Sequence, residues 1–322
     1  SEMLPEEKSG DTTHNLQSAS NLDETVVHLT HTMEANATQS TAFDGVVDER
    51  YNIVRHVGKG AVGTVFLAHD MALDENVALK MMPMHLFSKQ DSLNFKEEIK
   101  LARKITHRNV LRTFDFGAWQ DYYYITMEYL QGYDLGVLLR NKGAFKSSIG
   151  LTMVRQICSA MHAAHEQGII HRDLKPSNMM INRQGILKIM DFGLAMKVRQ
   201  PQAPASTDDS DEKTQNVVGT PRYMAPEQFF NWPLDERTDI YAIGAIMYAV
   251  FSGKPPFTSS SFETLADLHL NKVPERIVLE SGEVSSALQD IIFKALEKKP
   301  ENRYQSVRAL LDDLDSLMGI GQ

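Results

Sequence analysis

Three glycines, Gly58, Gly60 and Gly63, stand at G-x-G-x-x-G spacing in VGKGAVGTVF, where a backbone without Cβ atoms can bring its amides close to phosphate oxygens. The same pattern marks dinucleotide-binding turns, but there a helix follows the glycines. Here Thr64, Val65 and Phe66 continue as a strand, so the glycines are expected on a hairpin lying over a nucleotide. Lys80 in VALK falls on a strand further on, and the helix after it carries Glu97 and Glu98, either of which could pair with its ammonium. An isolated Lys and Glu are ordinary surface residues. Their weight comes from what lies downstream.

Downstream are HRDLKPSN (His171 to Asn178), LKIMDFG with Asp191, and TPRYMAPEQ. With the glycine pattern and VALK in front of them, these motifs make the chain from about Tyr51 to Met318 resemble the eukaryotic-type (Hanks-type) serine/threonine protein kinases, closest in texture to the bacterial members. The resemblance implies an α+β, bilobal protein kinase fold, with a small β-rich N-lobe holding one helix and a larger, mainly helical C-lobe. It implies transfer of the γ-phosphoryl of Mg-ATP to protein Ser or Thr hydroxyls, a reaction that rests on positioning and charge neutralisation.

Roles follow from the same resemblance. Lys80 holds the α- and β-phosphates and is oriented by Glu98, favoured over Glu97 by the family's FxxE helix pattern. Asp191 and Asn178 offer hard oxygens to Mg²⁺, with Mn²⁺ as a substitute. Asp173 accepts or orients the substrate hydroxyl's proton, Lys175 meets the transferring charge, and Thr220 hydrogen-bonds near Asp173. One short loop thus presents Asp173, Lys175 and Asn178 together. Val57, Gly58, Lys59, Gly60 and Gly63 form the loop over the nucleotide. Val65 and Ala78 roof the adenine pocket, Met180 floors it, Met127 is the gatekeeper, and Glu128, Tyr129 and Leu130 are the hinge whose backbone reads the adenine edge. Met127 and Met180 would serve equally as core fillers. Glu227 and Arg303 form a buried ion pair, Asp239 anchors the catalytic loop, and His171 packs against Phe192; these roles are structural. The remaining histidines show no metal-like clustering, and His162 and His165 lack the Glu of a zinc-binding H-E-x-x-H helix.

Between the two motifs lies QPQAPASTDDSDEKTQNVVGT, linker-like in composition yet inside the activation segment 194–224. Arg172, just before Asp173, is the signature of kinases whose loop is ordered when a loop phosphate meets that guanidinium. Ser206, Thr207, Ser210 and Thr214 are the acceptors on offer, Thr214 first. Met196 stands where a second basic residue is expected, with Lys197 one position later, and Asp208, Asp209, Asp211 and Glu212 would repel or mimic a phosphate. Autophosphorylation here is expected to raise activity, with a dimer as the route to a reaction in trans. Ser177 stands where basic-directed kinases often carry Glu, which argues against strong arginine selectivity.

These residues need elements to hold them. YNIVRHV, GTVFLAHD, ENVALKMM and YYYITMEYL read as strands, and SLNFKEEIKLARKI as one helix. Beyond GYDLGVLL, helices dominate: LTMVRQICSAMHAAHEQ closed by Gly168, a fully buried helix from Asp239 ended by Gly253, then ALQDIIFKALEK and SVRALLDDLDSLM. The expected division is a polar, flexible tail at 1–48, a kinase domain at 49–318 and an end at 319–322. Within the domain the N-lobe is 49–128, the hinge 128–132 and the C-lobe 133–318.

Bulk properties remove other classes. A net charge of −9 and a pI near 5.7 argue against nucleic acid as partner. The single cysteine, Cys158, excludes an intrachain disulfide and reads as a small buried hydrophobe. No apolar run approaches the roughly 20 residues that span a bilayer, so no membrane contact is expected within the chain. A cytoplasmic location follows, as a free protein or as the cytoplasmic domain of a longer membrane-anchored kinase, since the chain begins with Ser. Two rivals remain: a pseudokinase scaffold, opposed by the presence of Lys80, Asp173, Asn178 and Asp191, and a small-molecule phosphotransferase, opposed by the peptide-docking stretch GTPRYMAPEQ.

Overall fold

The β-branched runs build a six-stranded antiparallel sheet of β1 (Val46–Val47), β2 (Tyr51–Lys59), β3 (Thr64–Asp70), β4 (Glu75–Pro83), β5 (Thr113–Trp119) and β6 (Tyr122–Glu128), in the order β1-β2-β3-β4-β6-β5. The structure is a computed structural model that describes residues 45–60, 62–192, 221–278 and 284–320. Alternate residues of β4 serve two cores, as the two-residue period of a strand requires. Val77, Leu79 and Met81 pack with Tyr51, Phe66 and Tyr124 on one face. Ala78 and Met82 pack with Ile125, Met127 and the helix residues Phe95 and Ile99 on the other. That helix, α1 (Lys89–Ala102), starts at a capping box in which Ser88 and Asp91 satisfy each other's backbone N–H groups.

Val46 and Val47, assigned to the tail by their position before residue 49, instead form β1 against Asn52 and Tyr51. Burial of Val47 beside Tyr51 is the reason. Residues 129–131 link the end of β6 at Glu128 to the start of β7 (Gly132–Asp134). β7 pairs with β8 (Met179–Asn182), and β8 with β9 (Leu187–Ile189), in a small sheet that the composition does not announce.

The larger lobe is helical: α2 (Leu135–Lys142), α3 (Ser147–His165), α4 (Pro226–Phe229), α5 (Glu236–Ser252), α6 (Phe262–Asn271), α7 (Ser286–Ala295) and α8 (Val307–Leu317). Every residue of α5 from Thr238 to Phe251 is buried, and Gly253 ends it with φ at 80°. This is the fully buried helix expected from Asp239 to Gly253. α5 packs against α3 and α7. Cys158 on α3 is fully buried, and burial pushes its thiol far above its usual pKa, so it is a core filler.

Glu227 on α4 accepts from Arg303 at 2.7 and 2.9 Å, and Arg303 gives its remaining N–H groups to the carbonyls of Arg237, Glu297 and Lys298. All five guanidinium donors are matched, which is what makes a buried ion pair tolerable. Thr220 and the expected phosphoacceptors Ser206, Thr207, Ser210 and Thr214, like Met196 and Lys197, lie outside the described residues.

Candidate active site

The loop after α3 is held from below. Asp239, buried in α5, accepts the backbone N–H of His171 at 2.8 Å and of Arg172 at 2.9 Å, while His165 Nε2 lies 2.8 Å from the same carboxylate. Arg172 takes a left-handed φ of 65°, a conformation such anchoring has to sustain. His171 stacks at 4.7 Å on Phe192. Its Nδ1 accepts the Asp173 N–H at 3.3 Å, which assigns the proton to Nε2, 2.9 Å from the Met190 carbonyl. Both ring nitrogens are therefore used within the fold, and His171 has none left to act as a base or metal ligand.

Above that anchor, the three loop residues form one hydrogen-bonded unit. Asp173 Oδ2 accepts from Lys175 Nζ at 2.7 Å and from Asn178 Nδ2 at 3.1 Å, and the Asp173 carbonyl accepts from the same Nδ2 at 2.8 Å. With its nitrogen committed, Asn178 presents Oδ1 as the open end of the amide. Asp191, at φ 59°, follows β9 and is joined to the loop's neighbourhood by the Met190 N–H, which donates to the Asn178 carbonyl at 2.9 Å.

Lys80 is where expectation and structure part. Its Nζ pairs with Asp191 Oδ1 at 2.8 Å, not with Glu98. Burial raises the Asp191 carboxyl, but the Lys80 ammonium outweighs it and holds the group below the usual carboxylate range. Glu98 points inward from α1 with Oε2 buried and without a hydrogen-bond partner. Burial pushes its carboxyl upward, with Arg172 opposing. The charge acting on Glu98 is that of Arg172, while the ammonium of Lys80 is taken up by Asp191. Glu97 is outside the site, paired with Lys100 on the surface.

The residues expected at the nucleotide fall in several groups. Val65, Tyr129 and Leu130 pack around the group that contains Ala78 and Met127. Val57 is 44% exposed on β2. Gly58 and Lys59 end β2, and the Gly60 N–H closes a tight turn on the Gly63 carbonyl at 2.8 Å. Met180 belongs to the small sheet, in register with Asp134 and Lys188. In the hinge, the Glu128 N–H is already given to the Arg112 carbonyl at 2.9 Å, so it cannot serve a ligand, whereas the Leu130 N–H meets no protein acceptor among the described residues. Behind Met127, a mainly apolar cavity is lined by Ile99, Leu111, Thr113, Asp191 and Phe192 among others.

Some contacts carry no signal in the sequence. Lys188 pairs with Glu128 at 2.9 Å, tying the strand before Asp191 to the hinge. Gln228 Nε2 donates to the Arg172 carbonyl at 2.7 Å, tying α4 to the catalytic loop.

Comparison with known proteins agrees with this geometry. Residues 51–313 match the model of the protein kinase domain. A probable serine/threonine-protein kinase of Clostridium acetobutylicum is 34% identical over 274 residues, which cover 84% of this chain and 40% of the relative. The serine/threonine-protein kinase PknB of Mycobacterium tuberculosis is 33% identical over 273 residues, 83% of this chain and 43% of the relative. This chain spans less than half the length of these relatives.

Proposed function

Because this chain belongs to the protein kinase family, we propose that it transfers the γ-phosphoryl group of ATP, with Mg²⁺, to Ser or Thr hydroxyls of other proteins. The observation that carries the reading is the hydrogen-bonded unit of Asp173, Lys175 and Asn178, fixed to α5 through Asp239. A preorganised polar cluster on a rigid support is what phosphoryl transfer asks of a protein.

Asp173 has the oxygen to accept or orient the acceptor hydroxyl's proton. Lys175 sits beside it as a cation for the transferring group. Asp191 and the Asn178 Oδ1 would hold Mg²⁺. Bound Mg²⁺ supplies charge neutralisation of the phosphate oxygens. No group of three His, Cys, Asp or Glu side chains that could hold a metal occurs among the described residues. That fits an ion whose coordination is completed by water and phosphate oxygens. Val57, Lys59 and the three glycines cover the phosphates, while Val65, Ala78, Met127, Met180 and the free Leu130 N–H receive the adenine.

The Lys80–Asp191 pair bears on regulation. Asp191 cannot give its full charge to a metal while Lys80 holds it, so activation requires Lys80 to exchange Asp191 for the orphaned Glu98, with α1 as the element that moves. Autophosphorylation within 194–224, first at Thr214 and between two copies of the chain, is the proposed trigger. The described helices include none long and apolar enough to cross a membrane.

The test is incubation with Mg-ATP and a mixed-sequence peptide library, read by mass spectrometry, for the parent and Asp173→Asn. Phosphoserine and phosphothreonine in the parent alone are expected. Product on tyrosine, equal product from both proteins, or none from the parent would each contradict the reading.

A further inference from the structure

Beside the catalytic loop stand two arginines without an acidic partner among the described residues, in a chain whose 42 Asp and Glu outnumber its 33 Lys and Arg. Arg140 lies four residues after Gly136 on α2, so both occupy one face of the helix. A Cβ on Gly136 would stand 3.5 Å from Arg140 Nη1 and 3.4 Å from the backbone nitrogen of Ser177. The guanidinium is therefore folded back along α2 onto the loop that carries Asp173. Both distances are ordinary van der Waals contacts, so the guanidinium, the loop backbone and Gly136 lie side by side. Asp134 is near the same point, 2.9 Å from it, but its Oδ1 is engaged as the cap of α2, accepting the Val137 N–H at 2.9 Å. It makes no ion pair with Arg140.

Arg222 is the second of the two. It is exposed on the turn Pro221–Tyr223, immediately before α4, whose Gln228 is bound to the Arg172 carbonyl. Both guanidiniums act on the Tyr223 phenol between them: burial pushes its pKa up to about 12, and Arg222 and Arg140 pull against that rise. Ser177, small and uncharged, adds a hydroxyl to this border and no carboxylate. A hydroxyl brought to Asp173 carries its neighbouring residues past these groups.

We propose that Arg140 and Arg222 select protein substrates whose acceptor Ser or Thr is flanked by Asp and Glu. The inference rests on the kinase reading above and extends it to the class of substrate. Partly exposed charge pairs are individually modest, but two acting on one peptide give a preference that an assay resolves.

The test uses three peptides with one acceptor core and flanks of Asp/Glu, Ala/Gln or Lys/Arg. The readout is kcat/KM for the parent, Arg140→Glu, Arg140→Lys and Arg222→Glu, with thermal melting of each protein alongside. The parent is expected to favour the acidic over the basic peptide by about tenfold or more, chiefly through KM. Each charge reversal should erase most of that ratio, Arg140→Lys should keep most of it, and raising salt from about 50 to about 500 mM should shrink it. Equal use of all three peptides by the parent overturns this inference alone, as does a ratio that survives both reversals. A parent that phosphorylates none of the three overturns the kinase reading and this one with it. Arg140 and Arg222 are exposed and on different elements, so a folding defect in one variant leaves the other to decide.

Discussion

Lys80 pairs with Asp191 and not with Glu98, and in the function proposed above the carboxylate it holds separates resting from working geometry. The residue types were legible: VALK, HRDLKPSN and DFG name Lys80, Asp173, Lys175, Asn178 and Asp191 with no help from the fold. The partner of Lys80 was not, because motif spacing says which carboxylates are near and nothing about how α1 is set against the sheet. The buried, unpartnered Glu98 Oε2 makes an opposed pair of effects testable. Glu98→Gln removes a charge that burial disfavours, so the melting temperature should hold or rise. Yet the amide cannot form the ion pair with Lys80, so kcat should fall by about tenfold or more. A variant that melts lower while keeping its rate would show that Glu98 is a structural residue.

At the scale of elements, the glycine hairpin separates residues that the sequence treats alike. A Cβ on Gly63 would lie 2.3 Å from the Met81 carbonyl oxygen on β4 and 2.9 Å from Met82 Cγ, whereas one on Gly58 would meet nothing within 4 Å. Gly63→Ala should therefore cost about 1–3 kcal/mol, as overpacking does, with a raised KM for ATP. Gly58→Ala should leave denaturant stability within about 0.5 kcal/mol of the parent. Equal losses in both would contradict the packing described. Long elements were the readable ones: α1, α3 and α5 have enough turns for an apolar period to show. The strands β7 and β9 have three residues each, too few for any period. β1 was lost to the tail for the same reason, since two valines make no pattern until Tyr51 covers them.

Over the whole molecule, a buried histidine contributes to the acid side of the stability curve. His269 on α6 lies among Phe229, Tyr241 and Phe257, with Nδ1 2.9 Å from the Tyr241 hydroxyl. Burial, helped by Lys298, pulls its pKa down to about 3. The unfolded chain protonates His269 near 6.5 and the folded one does not, so its contribution is complete above that pH and is lost as pH falls toward 3. At pH 4.5 the loss is roughly 2–3 kcal/mol, with His107, also lowered by burial, acting in the same direction. Denaturant titrations of the parent should slope between pH 6.5 and 4.5, and His269→Gln should flatten that slope; an equal slope in both would assign it elsewhere. No sequence pattern marked His269, because nothing local says that a lone histidine is enclosed. On either side of the stretch 200–220, Met190 gives its carbonyl to His171, Phe192 stacks on the same ring, and Gln228 of α4 donates to the Arg172 carbonyl. The most direct test is the turnover of Asp173→Asn, measured with Mg-ATP beside its nucleotide affinity and melting point. The expected result is a kcat lower by about a hundredfold or more, with affinity and melting unchanged because Asn keeps an acceptor for Lys175. A kcat within about threefold of the parent would contradict the assignment of Asp173, and with it the proposed chemistry.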